Sequence, residues 1–223
     1  MADRRTIHIY EAQHDLHFLA GYGYNACLAR PVLGPSGVKT NTIWRSLALS
    51  PVMDVSWKGQ YALNWSASVP QPGRAIEQQG IWQPCSLGDS YDINEVGMWE
   101  KSATGGDPAF LNVGNVKYRY PGRPGIHMVV GVLNDFSGRY DPIYFDETAL
   151  GQGGSAKYQP QESVQLWVES SSADAALIAS DPSRSYGIID TTNKPSDNWE
   201  WWATFKATSG KWTITTTAPP SPY

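Results

Sequence analysis

Residues 55–69 read VSWKGQYALNWSASV, and the odd positions are Val55, Trp57, Gly59, Tyr61, Leu63, Trp65, Ala67 and Val69. The even positions are Ser56, Lys58, Gln60, Ala62, Asn64, Ser66 and Ser68. Side chains of a β-strand point alternately to opposite faces, so this period of two describes a strand with one face packed and one wet. At about 3.3 Å per residue such a strand spans close to 50 Å, far beyond the usual length. A bend or bulge at Gly59 is therefore expected. A tight turn there would break the face parity that the sequence preserves.

The rest of the chain repeats the pattern in shorter pieces. Residues 6–10 alternate as a first strand, and residues 17–30 place Phe18, Ala20, Tyr22, Tyr24, Ala26 and Leu28 on one apolar face. Further strands are expected at 42–49, 80–93, 109–120, 143–145, 163–169, 175–179, 186–190, 199–208 and 211–217, with Ser209-Gly210 turning the last hairpin. Residues 126–133 are almost wholly apolar, as in a strand covered on both faces. Helical periodicity is nearly absent, and the expected short helix is the Ala-rich run at 170–179. The fold class that follows is all-β, an antiparallel β-sandwich with two-lobed or barrel-like variants and at most one short helix. It forms one domain over residues 1–217, with a possible subdivision at the Gly-rich stretch 151–159 and a disordered tail at 218–223.

Several function classes drop out on composition. Net charge is −4 with no Lys/Arg run, which argues against nucleic acid as a partner. No segment is long and apolar enough to span a bilayer, and residues 1–12 lack the apolar core of a signal peptide, so a cytoplasmic protein is expected. Cys27 and Cys85 alone suit a reducing compartment and read as buried structural thiols, although a bridge between them stays open. His14, His17 and His127 read as ordinary histidines rather than metal ligands. Gly151 to Gly154 lack the Lys of a phosphate loop, and no cofactor is expected. Oligomeric state is left open.

Ten Trp and twelve Tyr against five Phe give the chain an excess of rings that carry a polar handle. Such rings suit surfaces packed on one side and wet on the other. Strand parity assigns Trp57, Trp65, Trp199 and Trp201 to the core. It leaves Trp202 between Glu200 and Thr204, Trp167 opposite Leu166 and Val168, and Trp44 opposite Ile43 as candidate exposed platforms. The bland alternative is that each lies between two sheets. The turn-rich segment 135–147 adds Asp141 and Tyr144 as polar groups near such a platform. An exposed indole beside Asp, Glu, Gln or Asn fits a sugar, whose C–H face lies on the ring while its hydroxyls bond to the neighbours. A lectin-like protein binding a glycan, or another small ligand with polar and aromatic parts, is thus the leading expectation. An enzyme or carrier with an aromatic-lined pocket comes second, and a membrane-active toxin third.

Segments such as FLAGYGYNACLARPV and the terminal GKWTITT resemble small β-rich proteins predicted in fungal genomes. That resemblance implies a fungal source and a cytosolic setting. It carries over no activity and no site residue.

Overall fold

The computed structural model describes residues 4–170, 173–178, 186–195 and 198–219. In chain order the first elements are β1 (Arg4–Tyr10), α1 (Gln13–Gly21), β2 (Tyr24–Ala29), β3 (Val32–Gly34), β4 (Gly37–Lys39), β5 (Arg45–Ala48) and β6 (Val52–Ser66). There follow β7 (Gln83–Cys85), β8 (Ser90–Ile93), β9 (Trp99–Lys101), β10 (Leu111–Val116), β11 (His127–Asn134) and β12 (Tyr140–Phe145). The last are β13 (Ala156–Pro160), β14 (Ser163–Ser170), β15 (Gly187–Asp190), β16 (Glu200–Lys206) and β17 (Lys211–Thr215).

The fold is an all-β sandwich of three sheets without a closed barrel. Seven strands form the first sheet in the order β12-β11-β6-β1-β16-β17, with β7 also on β6. The second runs β4-β3-β13-β10-β8-β9 and the third β15-β14-β2-β5. Pairing is antiparallel except for β1 with β16 and β8 with β10. One buried cluster includes Ile7, Leu28, Trp57, Leu111, Val164 and Trp201, so it draws on all three sheets and on both sides of residues 151–159.

The strand over 55–69 appears as β6, 15 residues long and central to its sheet. Its ladder with β11 pairs Lys58 with Leu133 and then Tyr61 with Val132, which leaves Gly59 and Gln60 as extra residues. Two extra residues restore the alternation, so Trp57, Tyr61, Leu63 and Trp65 all stay buried on one side. The irregularity sits where the glycine predicts it and keeps the face parity.

The one helix among the described residues lies elsewhere than expected. Residues 13–21 form α1, whereas residues 173–178 carry only isolated bridges, Ala176 to Ala75 and Leu177 to Thr42. Residues 171, 172 and 179 of that stretch, and 220–223 of the tail, lie outside the described residues. The alternation of Phe18, Ala20 and Tyr22 misleads because these side chains are exposed rather than sharing a packed face. The segment is tied down instead by two buried carboxylates. Where β1 ends, Glu11 Oε1 accepts the Phe205 N–H at 3.1 Å and Asp15 Oδ1 accepts the Ala207 N–H at 3.2 Å. They satisfy amides that the end of β1 leaves without a strand partner.

Candidate functional site

The two faces of the large sheet differ sharply where β6, β1 and β16 lie side by side. Ile7, Ile9, Val55, Trp57, Trp201 and Ala203 are buried on one face. The opposite face is built in rows by strand register. Lys58 pairs with Arg4, Ser56 with Thr6 and Thr6 with Glu200, and Asp54 with His8 and His8 with Trp202. Residues 46 to 54 or 194 positions apart in sequence thus become neighbours, across strands about 4.8 Å apart.

The rows are joined by side-chain bonds. His8 Nδ1 lies 2.7 Å from Asp54 Oδ1, and the imidazole stacks on the Trp202 ring with centroids 5.2 Å apart and planes 22° from parallel. Thr6 Oγ1 and Ser56 Oγ are 3.0 Å apart. Arg4 donates from Nη2 to Ser56 Oγ at 3.2 Å and from Nε toward Asp135 Oδ2 at 3.3 Å. Lys58 Nζ also donates to Asp135 at 2.7 Å, and this bond holds the Asp135 carboxyl below its usual range.

Two open clefts lie on this face and share Arg4 and Asp54. One, of about 410 Å³, is lined by Arg4, Thr6, His8, Asp54, Lys194, Asn198, Trp199 and Glu200. The other, of about 640 Å³, continues past Ser56 to Asn134, Asp135 and the almost fully exposed Phe136. Both volumes fall within the range of small-molecule sites. The lining offers donors from Arg4 and Lys194, acceptors from Asp54 and Glu200, and groups of both kinds from Thr6, His8 and Asn198. Charges of the two signs balance there.

Three of the five residues singled out in the sequence lie away from this face. Trp44 and Trp167 are not exposed platforms, since each is 1 % exposed. The cause is that both sides of the four-stranded sheet are covered. Leu166 and Trp44 face the main cluster, while Trp167 and Ile43 face a second one with Cys27, Ala29 and Ala176. Trp44 packs edge-on against Trp57 at 5.3 Å, and Trp167 donates from Nε1 to Glu169 at 2.9 Å. Tyr144 is also no loop group, being 1 % exposed on β12 with its ring 5.7 Å from that of Tyr158, and burial pushes its hydroxyl pKa up.

Asp141 is half-buried and accepts from Arg45 Nη2 at 2.6 Å, which ties β12 to β5. Burial raises its pKa and outweighs the attraction of Arg45, which lowers it. Arg45 lines the larger cleft, so Asp141 sets the position of one wall rather than facing a ligand. Trp202 alone of the proposed platforms reaches the polar face, half-buried with its ring against His8. Trp199, assigned to the core, is half-buried and lines the smaller cleft.

His8 and Asp54 are the members that sequence reasoning missed. Their placement on the polar face was readable from alternation, but their contact depends on the β1–β6 register. Among the described residues no group of three or more His, Cys, Asp or Glu side chains is placed to hold a metal. His127 is buried with Nδ1 3.0 Å from the Asp146 carbonyl oxygen, while His14 and His17 are exposed on α1. Both cysteines are buried and no disulfide joins them, and burial pushes the Cys85 thiol up to about 12. Among the described residues no helix is long and apolar enough to cross a membrane.

No family model, no curated protein and no solved structure matches the chain.

Proposed function

We propose that the chain is a lectin-like carbohydrate-binding protein whose ligand lies across the polar face of β6, β1 and β16. The observation that carries this reading is the lining of the smaller cleft, where balanced donors and acceptors surround the exposed part of Trp199. Vicinal hydroxyls need a donor and an acceptor side by side, and the C–H face of a pyranose needs a ring; a lining without net charge suits a neutral polyol. His8, held by Asp54 and backed by Trp202, extends the flat surface. The clefts on this face are open rather than enclosed, which favours surface recognition over an aromatic-lined pocket. Two buried cysteines that no disulfide joins suit a reducing compartment, and a cytoplasmic setting belongs to the same proposal.

A broad glycan array probed with the full chain tests the reading. Binding to a set of neutral glycans is expected, weakened by His8→Ala with an unchanged melting temperature. An array without a binder removes it.

A further inference from the structure

At the opposite end of β1's buried face, two guanidinium groups share one carboxylate. Arg30 is 0 % exposed. Its Nη2 donates to the Tyr61 hydroxyl oxygen at 3.3 Å and to the Gln161 carbonyl at 3.2 Å, and lies 4.0 Å from Glu162 Oε2. Its Nε and Nη1 have no hydrogen-bond partner among the described residues. Arg5 forms a closer ion pair with the same Glu162 oxygen, which also accepts from Thr191 Oγ1 at 3.2 Å. A guanidinium does not shed its proton in a protein, so two positive charges stand against one negative charge. The faces of Trp57 and Tyr61, with centroids 5.6 and 5.7 Å from Arg30 Cζ, attract the cation but supply no counter-charge. A buried charge without a full counter-charge is costly.

A cleft of about 520 Å³ adjoins this cluster. It opens where β6 changes partner, from β1, whose pairing reaches Lys58, to β7, whose pairing starts at Tyr61. Gly59 and Gln60 lie between, and Arg5, Tyr61, Tyr140 and Glu162 line the notch. Asp89, the other carboxylate there, is already bonded to Lys101 and to the Ser86 N–H. Because the Tyr61 oxygen accepts from Arg30, its own hydrogen is available to an acceptor in the notch.

We infer that this notch binds the oxyanion group of a small ligand, a carboxylate or a phosphate. Arg5 and the Tyr61 hydroxyl make the direct contacts, as charge-assisted donors, and Arg30 supplies the positive field behind them. Glu162 is the internal competitor that the ligand partly displaces.

The test is a titration of the full chain with sodium acetate and, separately, with inorganic phosphate, against sodium chloride at matched ionic strength. Tryptophan fluorescence reports it, because Trp199 lies 4.5 Å from Arg5 Cζ and Trp57 lies beside Arg30. A saturable change with acetate or phosphate, and not with chloride, is expected. Saturation by one probe alone identifies that oxyanion. Arg5→Gln should weaken binding about tenfold or more, whereas Glu162→Gln should tighten it, an opposite sign that a purely structural ion pair would not produce. If Glu162→Gln fails to fold, Tyr61→Phe takes its place and should weaken binding. No saturable change beyond that of chloride, or equal affinity in wild type and the variants, overturns the inference.

Discussion

Glu11 is the carboxylate whose chemistry departs furthest from its type. It is 1 % exposed, its Oε2 has no partner among the described residues, and burial raises its pKa from 4.5 to about 8. The folded chain therefore binds a proton that the unfolded chain releases between those two values. By linkage, the stability from protonated Glu11 is complete below about pH 4.5 and is lost as pH climbs through 8, on the order of a few kcal/mol. Urea unfolding across pH 5 to 9 should show this decline, and Glu11→Gln, which keeps an acceptor for Phe205 N–H, should flatten it. Trp65 makes a second prediction at this scale. It is 5 % exposed, donates from Nε1 to the Gly97 carbonyl at 3.1 Å and packs against Tyr118 and Tyr120. Trp65→Ala should cost about 3–5 kcal/mol in denaturant unfolding. A folded variant of normal stability that had lost only ligand affinity would contradict its core assignment.

Elements show which parts of the fold local sequence specifies. The long strand β6 is legible because one face is apolar over its whole length, and β11 is legible because it is buried on both faces. The helix α1 is not, since its anchors are the carboxylates of Glu11 and Asp15 bonded to β16, a tertiary contact that no helical period announces. The bridge between Ile126 and Leu150 is equally hidden. At Gly125 a Cβ would meet the Leu150 carbonyl carbon at 2.6 Å and Gly151 N at 2.8 Å, so only glycine allows the two backbones to approach. Gly125→Ala should destabilise the protein by about 1–3 kcal/mol, measured as a lower urea midpoint with an unchanged m-value.

Across the whole molecule, strand parity told buried from wet faces correctly where β6, β1 and β16 lie side by side, and wrongly for the four-stranded sheet and for the second half of β6, where Ala62, Asn64 and Ser66 on the polar face are buried as well. Trp202, Trp57 and Trp201 follow the alternation because that part of the large sheet has one covered face. Trp44 and Trp167 do not, because a second cluster covers the other side of their sheet. The candidate site was out of reach for a related reason. Its members come from residues 4–8, 54–56 and 194–202, and only the antiparallel register of β1 with β6 and the parallel register with β16 bring them together. Carbohydrate recognition by that face is the central claim. The most direct measurement is the affinity of the tightest array glycan for wild type and for Asp54→Asn, whose side chain is 56 % exposed and whose loss should leave the fold intact. About tenfold weaker binding at an unchanged melting temperature is predicted, from the loss of a charge-assisted acceptor and of the group that orients His8. Equal affinity in the two proteins would contradict the placement of the ligand on this face.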